Sequence, residues 1–203
     1  MTQISIKVFQ QEIQFLAGAE KPNQLLKSFL PQVAFIGKSN VGKSTLVNAV
    51  CNRKSLSRVS NTPGRTQQIN FFSVANKFLI TDLPGYGFAK AHSSQRQKWE
   101  GVIPHYLYNE KKLTLVNLLI DARRGIKEKD VQVIELLKDS KQNFQIVLTK
   151  SDKVNCIEKS LVDVKRFLSL LGCFCNVIST SSKSAQGIKE LRVMILDAIK
   201  QKT

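Results

Sequence analysis

Gly37-Lys38-Ser39-Asn40-Val41-Gly42-Lys43-Ser44 is the stretch on which the reading of this chain turns. It fits G-x-x-x-x-G-K-[ST], the pattern of a phosphate loop. The run Gln32–Ile36 before it reads as a buried strand, and Lys43–Cys51 after it as a helix. Glycines let such a loop curl until its N–H groups point at phosphate oxygens, and the helix N-terminus adds partial positive charge. Lys43 then suits the β- and γ-phosphates, and the Ser44 hydroxyl suits Mg²⁺. A chance match by a glycine-containing turn is the alternative, and the flanking strand and helix argue against it.

Outward from this loop the chain alternates. Short apolar or β-branched runs predict strands at Ile69–Val74, Lys77–Thr81, Leu115–Ile120, Phe144–Thr149 and Phe174–Ile178, with an edge strand at Ile4–Val8. Three- and four-residue periodicity predicts helices at Ser93–Tyr108 (kinked at Pro104), Lys129–Lys138, Ile157–Leu170 and Gly187–Ile199. Ala75-Asn76 is too short a link for a parallel crossover, so the strands around it form a hairpin. The rest alternates strand and helix, which predicts an α/β fold: a mostly parallel central sheet with one antiparallel hairpin strand and helices on both faces. Two long loops remain, Asn52–Gln68 and Pro84–Ser94, and loops of that length in a compact domain are usually functional or disordered.

The chain has 203 residues, enough for one domain over 31–203 with an N-terminal extension over 1–30, a strand plus a helix. At 42% hydrophobic and 23% charged it is globular rather than disordered. No apolar run approaches the roughly 20 residues of a membrane helix, and MTQISIKVFQQEIQF lacks an apolar signal core. Cys51, Cys156, Cys173 and Cys175 suit a reducing compartment, and Cys173/Cys175 read as inert strand residues rather than half of a zinc site. A cytoplasmic monomer is expected. Net charge is +16, and between Glu20 and Asp82 nine lysines and arginines follow one another without an acid. Such an excess predicts a polyanionic partner, nucleic acid or an anionic surface.

The base is chosen further along. Thr149-Lys150-Ser151-Asp152, at the end of a strand, matches the guanine-reading pattern [NT]-K-x-D. A carboxylate there accepts from the guanine N1–H and exocyclic amine, donors that adenine does not offer. Asp82-Leu83-Pro84-Gly85 fits D-x-x-G, with the aspartate toward Mg²⁺ and the Gly85 N–H toward a γ-phosphate. Thr62-Pro63-Gly64-Arg65-Thr66 lies in the basic loop, where a threonine reaching Mg²⁺ only in the triphosphate state would make an order–disorder switch. Thr180-Ser181-Ser182 is a poor match to the short loop that packs on guanine.

The order of these motifs resembles a Ras-like GTPase of the translation-factor class. GKSNVGKST, TPGRTQQINFF, DLPGYGFA and TKSD together resemble the EngB (YihA/YsxC) family of bacterial ribosome-biogenesis GTPases, from about Gln32 to Ile199. The resemblance implies a Ras-like P-loop fold, GTP and GDP binding with Mg²⁺, slow hydrolysis, and a role in large-subunit assembly through ribosomal RNA. It assigns the phosphates to Gly37, Lys38, Ser39, Asn40, Val41, Gly42, Lys43, Ser44 and Thr45, and the metal to Ser44 and Thr66. It assigns the first switch to Gly64, Arg65, Thr66, Gln67 and Gln68, and the second to Asp82, Leu83, Pro84 and Gly85. The base goes to Thr149, Lys150, Ser151 and Asp152, with Thr180, Ser181 and Ser182 beside it. Lys43, Asn40 and Thr66 are the residues implied for catalysis.

One position departs from the Ras pattern: Tyr86 stands where a water-orienting glutamine is usual, so intrinsic turnover should be slow. Asn40 stands where potassium-activated GTPases place a K⁺ ligand; stabilising the loop turn is its other reading. Arg53, Lys54, Arg58 and Arg65 flank the first switch and would present a cationic surface to RNA. Trp99, beside Arg96 and Lys98, reads as a core residue before a base-stacking one. A P-loop kinase or ATPase, or an RNA-binding module with a vestigial nucleotide site, are the other classes. Asp152 argues against the first, and intact Lys43, Ser44, Thr66 and Asp82 against the second.

Overall fold

The computed structural model describes residues 4–54, 56, 68–87 and 101–201. Seven strands form one sheet: β1 (Ile13–Ala19), β2 (Gln32–Gly37), β3 (Ile69–Val74), β4 (Phe78–Asp82), β5 (Leu113–Asp121), β6 (Phe144–Thr149) and β7 (Val177–Ser179), in the order β1-β3-β4-β2-β5-β6-β7. Only β3 runs against its neighbours, being antiparallel to both β1 and β4. The remaining pairings are parallel. Five described α-helices cover the two faces: α1 (Lys43–Val50), α2 (Val102–Asn109), α3 (Glu128–Asp139), α4 (Ile157–Leu170) and α5 (Ile188–Lys200). None of the described helices is long and apolar enough to cross a membrane.

β2 sits at the centre and is buried along its whole length. Its side chains alternate between two cores, as the strand period of two requires. Val33 and Phe35 pack with Leu46, Val47, Leu191 and Ile195 of α1 and α5. Ala34 and Ile36 pack with Ile103, Ile134 and Leu168 of α2, α3 and α4. Arg192 of α5 ties together elements on one face of the sheet. Its guanidinium donates to the carbonyls of Val50 and Ala49 at the end of α1 and lies 5.5 Å from the centre of the Phe9 ring.

The hairpin between β3 and β4 closes with a bond from the Lys77 N–H to the Val74 carbonyl, 2.9 Å. Both central residues are left-handed, Ala75 at φ 50 and Asn76 at φ 54, as a turn matching the strand twist demands. Asparagine tolerates that region and alanine does not, because its Cβ crowds the following carbonyl. Ala75→Gly is therefore expected to stabilise the protein by roughly 0.5–1 kcal/mol, read as a higher urea midpoint at unchanged slope.

Four expectations are corrected. Ile4–Val8 is not a strand: Ser5 Oγ accepts from the Lys7 N–H at the start of a 3₁₀ turn, Ile6–Gln10, and the neighbouring Val8 and Phe9 are both buried. The backbone bonds of this turn are local, from the Val8 N–H to the Ser5 carbonyl (2.9 Å) and from the Gln11 N–H to the Val8 carbonyl (3.1 Å). The edge strand is β1, whose middle is exposed and whose register shifts between Phe15 and Ala17. The extension has no α-helix after it, only a 3₁₀ turn at Pro22–Gln24. Near the other edge, Gly172 at φ 61 ends α4, and Phe174 is exposed. The strand expected from Phe174 thus starts only at Val177, and Cys173 and Cys175 lie in the connection. Finally, Pro104 is the third residue of α2, where its missing N–H leaves no helix bond unmade; the kink expected there has no cause. The expected helix start at Ser93 lies outside the described residues.

Candidate nucleotide-binding site

The site forms at the carboxyl ends of β2, β4, β5 and β6, the end at which open α/β sheets bind ligands. The chain leaves β2 at Gly37, where a Cβ would stand 2.9 Å from both Leu119 Cβ and Val41 Cγ1, too close for any side chain. Gly42 caps α1 at φ 100, a conformation only glycine adopts without strain. The first helix bond runs from the Leu46 N–H to the Gly42 carbonyl, 2.8 Å. The N–H groups of Lys43, Ser44 and Thr45 thus have no acceptor inside the helix and face its open end, an arrangement suited to anions.

Neighbouring elements pin the loop's shape. The Val41 N–H donates to the Lys38 carbonyl (3.0 Å), and the Ser39 N–H to the Tyr86 carbonyl (2.9 Å). Thr149 Oγ1 donates to the Val41 carbonyl (2.7 Å), and Lys150 Nζ to the Asn40 carbonyl (2.7 Å). Asn40 is left-handed at φ 63 with its side chain exposed, which suits both readings of this residue.

Lys43 and Asp82 meet in a buried ion pair at the floor of the site. Parallel pairing of β4 with β2 sets this up, because Asp82 is in register with Phe35, two residues before Gly37. An ammonium for phosphate oxygens, beside a hydroxyl and a carboxylate for a hard dication, is the donor set that a Mg²⁺-bound polyphosphate requires. Gly85 comes close to the loop: a Cβ there would stand 3.1 Å from Ser39 Oγ and 3.3 Å from the Gly37 carbonyl. Leu83 and Pro84 turn inward and set the path of the chain.

The Thr149–Asp152 segment is equally tied down. Lys150 is left-handed at φ 58, and its ammonium bridges the Asn40 carbonyl and the Asp121 carboxylate (3.0 Å). The Ser151 N–H donates to the Thr180 carbonyl (3.1 Å). Ser181 Oγ donates to Asp152 Oδ1 at 2.6 Å and accepts from the Lys183 and Ser184 N–H groups at 3.2 Å each. That hydroxyl holds the exposed Asp152 carboxyl below the usual carboxylate range. Thr180 and Ser181, a weak match in sequence, thus hold the Ser151–Asp152 turn in place, and Ser182 is half-buried beside them.

Sequence reasoning missed Asp121, a buried acid at the end of β5. Burial opposes its ionisation, but hydrogen bonds from Arg123 and Lys150 outweigh that and hold its carboxyl well below the usual range. A single acid ending an otherwise uncharged strand, LTLVNLLID, was the only signal. Gln68 stands apart from the phosphate loop, its side chain over Gly18 of β1 and its amide bonded to Asn70 (3.0 Å). Arg53 reaches the Gln11 carbonyl (2.7 Å). Thr62, Pro63, Gly64, Arg65, Thr66 and Gln67, with Arg58, Arg96, Lys98 and Trp99, lie outside the described residues.

Residues 32–150 match a protein family described as "50S ribosome-binding GTPase". Over 194 residues the chain is 52% identical to the probable GTP-binding protein EngB of Rickettsia prowazekii, covering 96% of this chain and 91% of that one. The chain belongs to the EngB family of GTP-binding proteins. The EngB protein of Rickettsia akari is also 52% identical over 194 residues, covering 96% of this chain and 92% of that relative. Among solved structures, a probable GTP-binding protein EngB superposes with a TM-score of 0.69 at 23% identity, covering 84% of this chain and 99% of that one. Era, in complex with MgGDPNP and a segment of 16S ribosomal RNA, superposes with a TM-score of 0.67 at 24% identity, over 83% of this chain and 56% of Era. At such identities the two structures speak for the fold, which is that of the GTPases. Membership of EngB makes this chain a GTP-binding protein.

Proposed function

We propose that this EngB-family chain is a nucleotide-dependent switch with slow intrinsic GTPase activity that acts in assembly of the large ribosomal subunit. The observation that carries the reading is the link between two loops: the phosphate loop, with the buried Lys43–Asp82 pair beneath it, is tied through the Asn40 carbonyl to Lys150, next to Asp152, which Ser181 orients. The α1 N–H groups and Lys43 hold the phosphates, and the Gly85 N–H meets the γ-phosphate. Ser44 and Thr66 would hold Mg²⁺, with the Asp82 carboxylate close by, and the cation would supply charge neutralisation at the phosphates. The phenol of Tyr86 is bonded to Asp130, so the attacking water must be oriented by another group. Asn40 with a K⁺ ion, or the ribosomal partner, supplies it in this account.

A charge of +16 supports an RNA partner, as does the 50S-binding description of the matched family. The chain works in the cytoplasm as a monomer in this reading. GTP turnover in K⁺ and in Na⁺ at equal ionic strength, with and without purified large subunits, tests it. Faster turnover in K⁺ and at least tenfold stimulation by large subunits are expected. Equal rates in the two salts would leave Asn40 as a turn residue only, and an inert large subunit would overturn the assembly role.

A further inference from the structure

Tyr86 is held from two sides. Its main chain extends the sheet over the phosphate loop: its N–H donates to the Gly37 carbonyl (3.2 Å), and its carbonyl accepts from the Ser39 N–H (2.9 Å) and Ser39 Oγ (3.2 Å). Its ring leaves the nucleotide cleft and packs in the core with Leu83, Val102 and Ile134. There the hydroxyl donates to Asp130 Oδ1 at 2.5 Å, the length of a charge-assisted bond. Asp130 is itself 4% exposed, and its other oxygen accepts from the Lys127 N–H (2.8 Å), capping α3. Burial, and then the Asp130 charge, push the Tyr86 hydroxyl well above its usual range, so it remains a donor at every working pH.

The same contacts close a circuit around the phosphate loop. From Asp130 it runs through Lys127 and the 121–127 loop to Asp121, whose carboxylate takes Lys150 Nζ, and from Lys150 to the Asn40 carbonyl. Inside this ring lies a cavity of about 240 Å³, lined by Lys38, Arg123, Arg124 and Lys127 among others. A change at Gly85 therefore has a bonded route to a basic loop, which meets the Thr149–Asp152 segment through Lys150 and through the Ala122 N–H on the Thr149 carbonyl (3.0 Å).

We propose that Tyr86 and Asp130 are a positioning pair for γ-phosphate recognition: their hydrogen bond fixes Gly85 over the phosphate loop and carries the presence of a γ-phosphate to the 121–127 loop. The inference rests on the reading above that the γ-phosphate is met by the Gly85 N–H. Energetically the pair acts only on the difference between triphosphate and diphosphate, because a ligand shifts a conformation only by its differential affinity. A diphosphate makes no contact at Gly85 and is indifferent to the pair.

The test is the affinity of the full chain for GDP and for a non-hydrolysable GTP analogue, in wild type, Tyr86→Phe, Asp130→Ala and the double variant. Tyr86→Phe keeps the buried ring and removes only the hydroxyl. It is expected to weaken analogue binding about tenfold while GDP binding stays within about twofold. Asp130→Ala should give the same ratio with an added loss of thermal stability from the lost cap, and the double variant should lose no more than either single one. Protection of the Lys127 amide from hydrogen exchange should differ between the two nucleotides in wild type and not in Tyr86→Phe. Equal weakening of both nucleotides, an unchanged ratio, or additive losses would each overturn the pair while leaving the site intact. A wild type that binds GDP and the analogue with no dependence on Gly85, read by Gly85→Ala, would instead remove the underlying reading.

Discussion

Lys43→Ala is expected to weaken GTP binding by at least about a hundredfold, the effect of losing a charge-assisted contact to phosphate. Lys43 is 8% exposed and Asp82 fully buried, so the substitution also leaves the Asp82 carboxylate without its lysine. Breaking a buried pair from one side costs roughly 3–5 kcal/mol, and the variant should melt well below wild type. The two effects separate in one experiment. Wild type at a hundredfold excess of nucleotide over Kd gains about 2.7 kcal/mol of stability, and the variant should gain almost none at the same concentration. Lys43→Arg should recover stability better than binding, since a guanidinium fork does not replace a point-like ammonium inside a closed loop. Calorimetric titration with GTP reads the affinity directly, and near-wild-type affinity in Lys43→Ala would contradict the assignment of the phosphate end.

Asp152→Asn is expected to lower GTP affinity by about two to three orders of magnitude and to turn the preference toward xanthine nucleotides. The carboxylate accepts two donors from guanine. An asparagine offers one acceptor and one donor, which match xanthine, where a carbonyl replaces the exocyclic amine. Ser181 makes this a specific geometry rather than a loose charge, because its hydroxyl sits 2.6 Å from Asp152 Oδ1 and is itself fixed by two backbone N–H groups. Ser181→Ala should therefore cost GTP affinity about tenfold without changing which base is preferred. That hydrogen bond also lowers the Asp152 carboxyl from its usual value. The preference for guanine over other bases should accordingly persist as pH falls, and decline only below the usual carboxylate range. Competition titrations of GTP, ATP and xanthosine triphosphate check both substitutions, and an Asp152→Asn variant that still prefers GTP would place base recognition elsewhere.

How much of this was legible in the sequence depended on burial. β3, β6 and α4 fall on the expected residues, Ile69–Val74, Phe144–Thr149 and Ile157–Leu170. β3 and β6 are interior strands and α4 a strongly amphipathic helix, so their apolar pattern is strict. β1 was misplaced because an edge strand needs only one covered face, and the shift at Phe15/Ala17 breaks its alternation. The phosphate and base loops were legible because their chemistry demands fixed residue types at fixed spacing. Asp121 carries no such spacing; its role comes from Lys150, 29 positions later, reaching it across two strand ends. Tyr86 illustrates the limit best. Its place just after the D-x-x-G segment pointed to the water-orienting position, while its side chain turns to an aspartate 44 positions away. No local pattern records which face of the sheet a residue just past a strand end will take.

The account stands on nucleotide state governing attachment to the large subunit. Co-sedimentation of the purified chain with large and small ribosomal subunits, in GDP, in a non-hydrolysable GTP analogue and without nucleotide, measures that directly. The account predicts binding to the large subunit that requires the GTP analogue and weakens as salt is raised. Binding to both subunits alike, or to the large subunit equally in GDP and the analogue, would contradict it.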